Sequence, residues 1–125
     1  MNQSLAVLAL LMTMQADTAA AGSIRFQCLY HFACSKFGDC GSADFTLEFV
    51  IDSTTKRAVL IGNNGLATVQ AYEGANSVTF LEALASGAVQ TTTIADDGSS
   101  VHSRHTIIGE NISNSQFIGT CTVGQ

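Results

Sequence analysis

Residues 78–108 read VTFLEALASGAVQTTTIADDGSSVHSRHTII, which is three runs of alternating apolar and polar residues joined by two turn signals. Alternation with a period of two is typical of β-strands that bury one face. The turns Ser86-Gly87 and Asp96-Asp97-Gly98 are far shorter than a parallel crossover, so the three strands are predicted to pair antiparallel. This stretch places the chain in the all-β class.

The same pattern continues on both sides of that stretch. Asn63-Asn64-Gly65 is a strong hairpin signal, and the chain contains no proline to interrupt a strand. Eight strands separated by short turns predict an antiparallel meander that closes into an up-and-down barrel, with a two-sheet β-sandwich as the alternative. The predicted strands are 24–32, 44–51, 57–61, 66–72, 78–84, 88–95, 100–108 and 115–123.

The N-terminus predicts export. Residues 5–12 form the unbroken apolar run LAVLALLM, and Ala19-Ala20-Ala21 fits the A-x-A cleavage rule with Gly22 as the first mature residue. An apolar run this short cannot span a hydrocarbon core of ~30 Å. We therefore predict a signal peptide at 1–21 and a single barrel domain at 22–125, located in the periplasm or outside the cell without a membrane anchor.

The charge of the mature chain excludes two classes of partner. The full chain has ten acidic and five basic residues, and loss of Asp17 with the signal peptide leaves nine acidic residues. Nucleic acids and anionic membrane surfaces are recognised by basic patches. We therefore expect no nucleic-acid partner.

The four cysteines predict disulfides. An even number of cysteines in an exported chain favours two bridges, and four cysteines allow three connectivities. A zinc site is the alternative, but the paired C-x-x-C spacing of structural zinc is absent. Cys34 and Cys40 flank a short polar segment, whereas Cys28 and Cys121 lie near the two ends of the domain. The predicted pairs are Cys34–Cys40 and Cys28–Cys121.

Several segments, taken in order, resemble a group of small exported bacterial proteins of unknown function. The matching pieces are the N-terminal cysteine pair, SGAVQTTT at 86–93, VHSRH at 101–105 and Gly119-Thr120-Cys121. A looser similarity is to the periplasmic inhibitors of C-type lysozyme, small barrels with a disulfide joining the chain ends and a late Ser-Gly turn such as Ser86-Gly87. The aromatic and Lys-Gly elements that follow the turn in those inhibitors are absent. The first resemblance implies no activity, and the second implies binding to a protein.

The turn positions predict a register that brings polar residues together. Centring one turn on Ser86 and the next on Asp97-Gly98 gives four rows on one face: Val78–Ile94–Val101, Phe80–Thr92–Ser103, Glu82–Gln90–His105 and Leu84–Ala88–Ile107. Glu82 stands out because its neighbours on the same strand face are apolar. A carboxylate on a core face needs a partner, and His105 is predicted to supply it across Gln90.

This row is the first candidate site. Glu82, Gln90, Ser103 and His105 are the candidate ligand-binding residues, and a polar network that only fixes strand register is the alternative. Ser103 lacks the G-x-S-x-G elbow of a nucleophile, and His102 and His105 are predicted to point to opposite faces of one strand. We expect no catalytic residue, no metal and no cofactor. An enzyme that uses Glu82 and His105 as an acid–base pair is the alternative.

The segment Ala33–Ala43 is the second candidate, predicted to be a loop closed by a disulfide. Lys36, Phe37 and Asp39 would present an aromatic ring and charges of both signs, which suits protein recognition. The alternative is that Phe37 folds back over the barrel end. The predicted function is a non-enzymatic exported binding module for a protein or a small molecule, with an enzyme or a structural envelope protein as alternatives.

Overall fold

The structure is a computed structural model that describes residues 22–35 and 37–124. The predicted signal peptide lies outside the described residues. In the described part of the chain, no helix is both long and apolar enough to cross a membrane. The regular elements there are β1 (Ser23–Ser35), β2 (Cys40–Asp52), β3 (Ala58–Gly62), β4 (Gly65–Glu73), β5 (Ser77–Ala83), β6 (Val89–Ala95), β7 (Ser99–Ile108) and β8 (Asn111–Gly124).

These strands form a closed antiparallel barrel in chain order, and β8 returns to pair with β1. The predicted all-β meander is confirmed, and the closure selects the barrel over the sandwich. Closure leaves no exposed sheet edge, which removes a surface on which other chains could add strands. The turns at 37–39, 63–64, 84–88 and 109–110 surround one end of the barrel, which we call the mouth. Residues 22 and 124, where the described residues begin and end, lie at the other end, which we call the terminal end.

Both predicted disulfides are confirmed. Cys28 and Cys121 are direct partners across the β1–β8 seam with their Cα atoms 4.0 Å apart, and Cys34 and Cys40 are partners across β1–β2 at 4.1 Å. Two disulfides indicate an oxidising compartment. The seam is also unusually tight at Gly119, where an added Cβ would lie 1.9 Å from a carbonyl oxygen of β1.

The predicted strand positions hold, but several ends differ. β1 and β2 continue to the Cys34–Cys40 pair, because the ladder between them runs up to the disulfide. The segment Ala33–Ala43 is therefore mostly strand, and the described part of its loop is residues 37–39. β8 begins at Asn111 instead of 115, because it pairs with β7 along the full length of that strand.

The terminal half of the barrel interior is apolar. Phe49 and Phe80 stack with ring centroids 4.3 Å apart, and Phe26 meets Phe80 edge-on at 5.7 Å. Ile51 and Ile94 are buried beside them. Inward-facing residues at every second position thus fill this half, as the alternation predicts.

The register between β6 and β7 differs from the prediction by one residue. Gly98 N donates to Ala95 O at 2.9 Å and Gly98 has φ +87°, so the turn has three residues, 96–98, with glycine in the left-handed conformation that ends such turns. The prediction assumed a two-residue turn at Asp97-Gly98. Since side chains alternate along a strand, a shift of one residue exchanges the two faces.

The shift reverses the predicted faces of β7. Thr92 pairs with His102 and Gln90 pairs with Arg104, so His102 and Arg104 face the interior. Ser103 and His105, predicted to face inward, point outward. The β5–β6 register, with Glu82 opposite Gln90, agrees with the prediction.

Candidate functional site

A cavity of about 610 Å³ opens at the mouth of the barrel. This volume is within the range of about 300–1,000 Å³ that small-molecule sites occupy. The space exists because inward positions on β3 and β4 near the mouth carry small residues, Gly62 and Ala67. Its wall includes apolar side chains, Phe45, Leu47, Leu60 and Leu84, and polar ones, Glu82, Gln90, Arg104 and Thr106.

Three polar side chains on adjacent strands form a chain of hydrogen bonds along one wall. Gln90 Nε2 donates to Glu82 Oε2, and Arg104 Nε donates to Gln90 Oε1 at 3.3 Å. The sequence correctly predicted Gln90 as the residue next to Glu82. The cation on its other side is Arg104 rather than His105.

Arg104 lies against two aromatic rings. Its guanidinium carbon is 5.4 Å from the ring centroid of Phe45 and 5.6 Å from that of Phe117, distances at which a cation is attracted to the ring face. Within residues 22–35 and 37–124 the one ion pair joins Arg25 to Glu48, so Arg104 has no carboxylate partner there. In the same ranges its terminal Nη atoms form no hydrogen bond.

A buried polar layer lies beneath Arg104. Tyr30 Oη and Ser100 Oγ are 2.9 Å apart, and Ser100 Oγ donates to Thr93 O at 2.9 Å. Thr92 Oγ1 and His102 Nδ1 are 2.6 Å apart. Burial raises the pKa of the Tyr30 phenol, so this group stays protonated.

His102 belongs to this layer and is almost completely buried, with 1% of its surface exposed. Burial, followed by the positive charge of Arg104, lowers its pKa to about 4, so the ring is neutral at neutral pH. Its Nε2 has no hydrogen-bond partner in the described part of the chain. The sequence predicted His102 on the face opposite to His105, and the one-residue shift in register turns His102 inward.

The four predicted ligand-binding residues are split between the two faces of the barrel. Glu82 and Gln90 line the cavity. Ser103 faces outward and accepts a hydrogen bond from Gln116 Nε2 at 3.4 Å, and His105 is exposed opposite Asn114. The predicted proximity of Glu82 and His105 is therefore wrong, and the acid–base pair of the enzymatic alternative does not form.

The signal that would have found Arg104 was present in the sequence. Asp96-Asp97-Gly98 fits a three-residue hairpin turn with glycine in the left-handed position as well as it fits a two-residue turn. Choosing the three-residue turn pairs Gln90 with Arg104 directly. The two-residue turn at Asp97-Gly98 paired Gln90 with His105 instead.

The second candidate segment is a disulfide-closed hairpin tip. Ser35 N donates to Asp39 O and Gly38 N donates to Ser35 O, each at 3.0 Å, so backbone bonds define the turn. Phe37 is 78% exposed and does not cover the barrel end, which corrects the alternative that it caps the barrel. Asp39 is exposed as well, and Lys36 lies outside the described residues.

Comparison of the chain with protein-family models, curated proteins and solved structures found no match. Among the described residues, no group of three or more His, Cys, Asp and Glu side chains is arranged to hold a metal ion. The geometry of the cavity and of the hairpin tip therefore carries the functional argument.

Proposed function

We propose that the protein is a non-enzymatic, exported binding module that holds a small molecule in the barrel mouth. One observation carries this proposal: Arg104 opens into a cavity of about 610 Å³ without a carboxylate partner among the described residues. A partly buried charge without a counter-charge costs free energy. A ligand that bonds to it would recover that cost, and few converging polar groups in an apolar pocket are typical of ligand sites.

The proposed location is the periplasm or the exterior of the cell. The apolar run and alanine tract of residues 1–21 support a cleavable signal peptide. The two disulfides support the same compartment, because cytosolic thiols are kept reduced. The resemblance to small exported bacterial proteins agrees with both.

The proposal is tested by filling the cavity. Ala67 faces the cavity and the next residue, Thr68, faces solvent, so Ala67→Phe should fill the cavity and Thr68→Phe should not. Native mass spectrometry of the mature protein, purified from its own host without denaturation, should show added ligand mass in the wild type and in Thr68→Phe. The mass should be absent in Ala67→Phe. Retention of the same ligand by Ala67→Phe would contradict a site in the mouth.

A second candidate function is recognition of a protein by the hairpin tip at 37–39. The exposure of Phe37 at a tip closed by Cys34–Cys40 favours it, because rigid loops with aromatic residues are frequent in interfaces. The similarity to inhibitors of C-type lysozyme points in the same direction. Its test is inhibition of a C-type lysozyme by the mature protein. Inhibition that is lost in Phe37→Ala supports this candidate, and no inhibition by the wild type contradicts the lysozyme target.

A further inference from the structure

The polar wall of the cavity offers one set of unused donors. An arginine carries five N–H donors in a planar fork that matches the two oxygens of a carboxylate. The Nε of Arg104 is used by Gln90, and its guanidinium lies close to the rings of Phe45 and Phe117. The donors on its Nη atoms remain for a ligand in the cavity, which Arg104 lines.

Gln90 keeps the two charges of this wall separate. Its amide nitrogen donates to Glu82 and its amide oxygen accepts from Arg104, so each end of the amide is held by a different charge. Reversing the amide would break both bonds. Gln90 therefore stands between Glu82 and Arg104, and the negative charge of Glu82 on the same wall repels a dianionic ligand more strongly than a monoanionic one.

The rest of the cavity is suited to an apolar group. Among the described residues that line the cavity, Arg104 is the one lysine or arginine, and Leu47, Leu60 and Leu84 supply apolar surface. Leu66, 67% exposed, extends this surface to the rim. The buried layer with His102 closes the cavity below Arg104, so an anionic group enters first and the apolar part of the ligand lies toward the mouth.

We infer that the ligand is a monoanionic amphiphile, a monocarboxylic acid with an apolar body, whose carboxylate binds the Nη atoms of Arg104. This inference rests on the proposed function and adds the ligand class to it. Glu82 acts in it as a specificity residue that rejects dianions. Arg104 supplies the attraction, and the leucines and Phe45 accept the apolar body.

The test compares ligands with one apolar tail and different head groups. Isothermal titration at pH 8 with octanoate, 1-octanol, octylammonium and octyl phosphate measures affinity for a monoanion, a neutral group, a cation and a dianion. Octanoate should bind the wild type at least tenfold more tightly than the other three, a difference of about 1.4 kcal/mol. That is near the lower end of what a hydrogen bond to a charged group contributes.

Variants assign the effect to each residue. Arg104→Gln should weaken octanoate binding at least tenfold and leave 1-octanol binding unchanged, and Arg104→Lys should give an intermediate loss because the ammonium keeps the charge without the fork. Glu82→Gln should increase the affinity for octyl phosphate more than the affinity for octanoate. Arg57→Gln, at an exposed arginine of the 53–57 turn, is the matched control and should change nothing.

The outcomes separate the two proposals. If 1-octanol or octylammonium binds as tightly as octanoate, and Ala67→Phe abolishes that binding, the ligand class is wrong and the proposed function stands. Octanoate binding that Arg104→Gln leaves unchanged also overturns the ligand class. If none of the four compounds binds but native mass spectrometry shows a wild-type ligand that Ala67→Phe removes, the ligand class alone is wrong. If that ligand mass is absent as well, the proposed function itself is wrong.

Discussion

Lowering the pH is predicted to destabilise the barrel through His102. The folded protein holds this histidine neutral down to a pKa of about 4, against 6.5 for an ordinary histidine. Between these values the unfolded chain binds a proton that the folded protein does not, so stability falls as the pH falls from about 6.5 to 4. At 1.36 kcal/mol per unit, the difference amounts to about 3 kcal/mol, all of it present above pH 6.5.

Urea unfolding of the wild type and of His102→Gln between pH 4 and 8 measures the contribution of His102 to the pH dependence of stability. Glutamine does not titrate and can still bond to Thr92, so the variant should lose about 3 kcal/mol less than the wild type over this range. His105→Gln, at an exposed histidine of the same strand, is the matched control and should follow the wild type.

Two carboxylates also contribute to acid sensitivity but do not affect the comparison. Backbone hydrogen bonds from Thr55 and Thr54 lower the pKa of Asp52, and bonds from Ser99 lower that of Asp97. Stability from both is lost as the pH falls through their lowered pKa values. They are present in every variant, so they cancel in the difference. Equal pH dependence of the wild type and His102→Gln would refute the inward placement of His102.

Three further predictions concern the seam, the bridges and the N-terminus. Gly119→Ala should lower the free energy of unfolding by about 3 kcal/mol or more, since its Cβ would clash with β1. A variant that is as stable in urea as the wild type would contradict the tight seam. Replacing Cys28 and Cys121 by alanine should cost about 4–5 kcal/mol, against about 2 kcal/mol for Cys34 and Cys40, because the sequence separations are 93 and 6. Equal losses in denaturation would contradict that order. Intact mass of the exported protein should correspond to residues 22–125 with both disulfides formed, and reactive thiols or retained residues 1–21 would contradict it.

The strands and the disulfides were predictable because each depends on local or pairwise features of the sequence. Alternation at 24–30 and 44–51 specifies which residues face inward without knowledge of their partners, whereas Phe32 follows a β-bulge and is exposed. The cysteine pairing followed from the meander, since closure makes the first and last strands neighbours and brings Cys28 opposite Cys121. The orientation of Phe37 at the hairpin tip was less predictable, because no local feature of the sequence shows whether this side chain folds onto the barrel.

The candidate site was harder to predict because it depends on the register across two turns. The β5–β6 turn was assigned correctly and placed Gln90 beside Glu82. The next turn was assigned one residue too short, and that error alone exchanged His105 for Arg104. The argument that a core-facing carboxylate needs a polar neighbour was sound. It selected His105 because the predicted register placed that residue, rather than Arg104, opposite Gln90.

The most direct test of the ligand site is nuclear magnetic resonance of side-chain N–H groups during titration with octanoate. The account predicts that the Nε–H signal of Arg104 and the side-chain amide signals of Gln90 shift with a single saturation curve. The signals of Arg25 and Arg57 should remain in place. Saturable binding that leaves the signals of Arg104 and Gln90 unchanged would contradict a ligand bound by Arg104 in the barrel mouth.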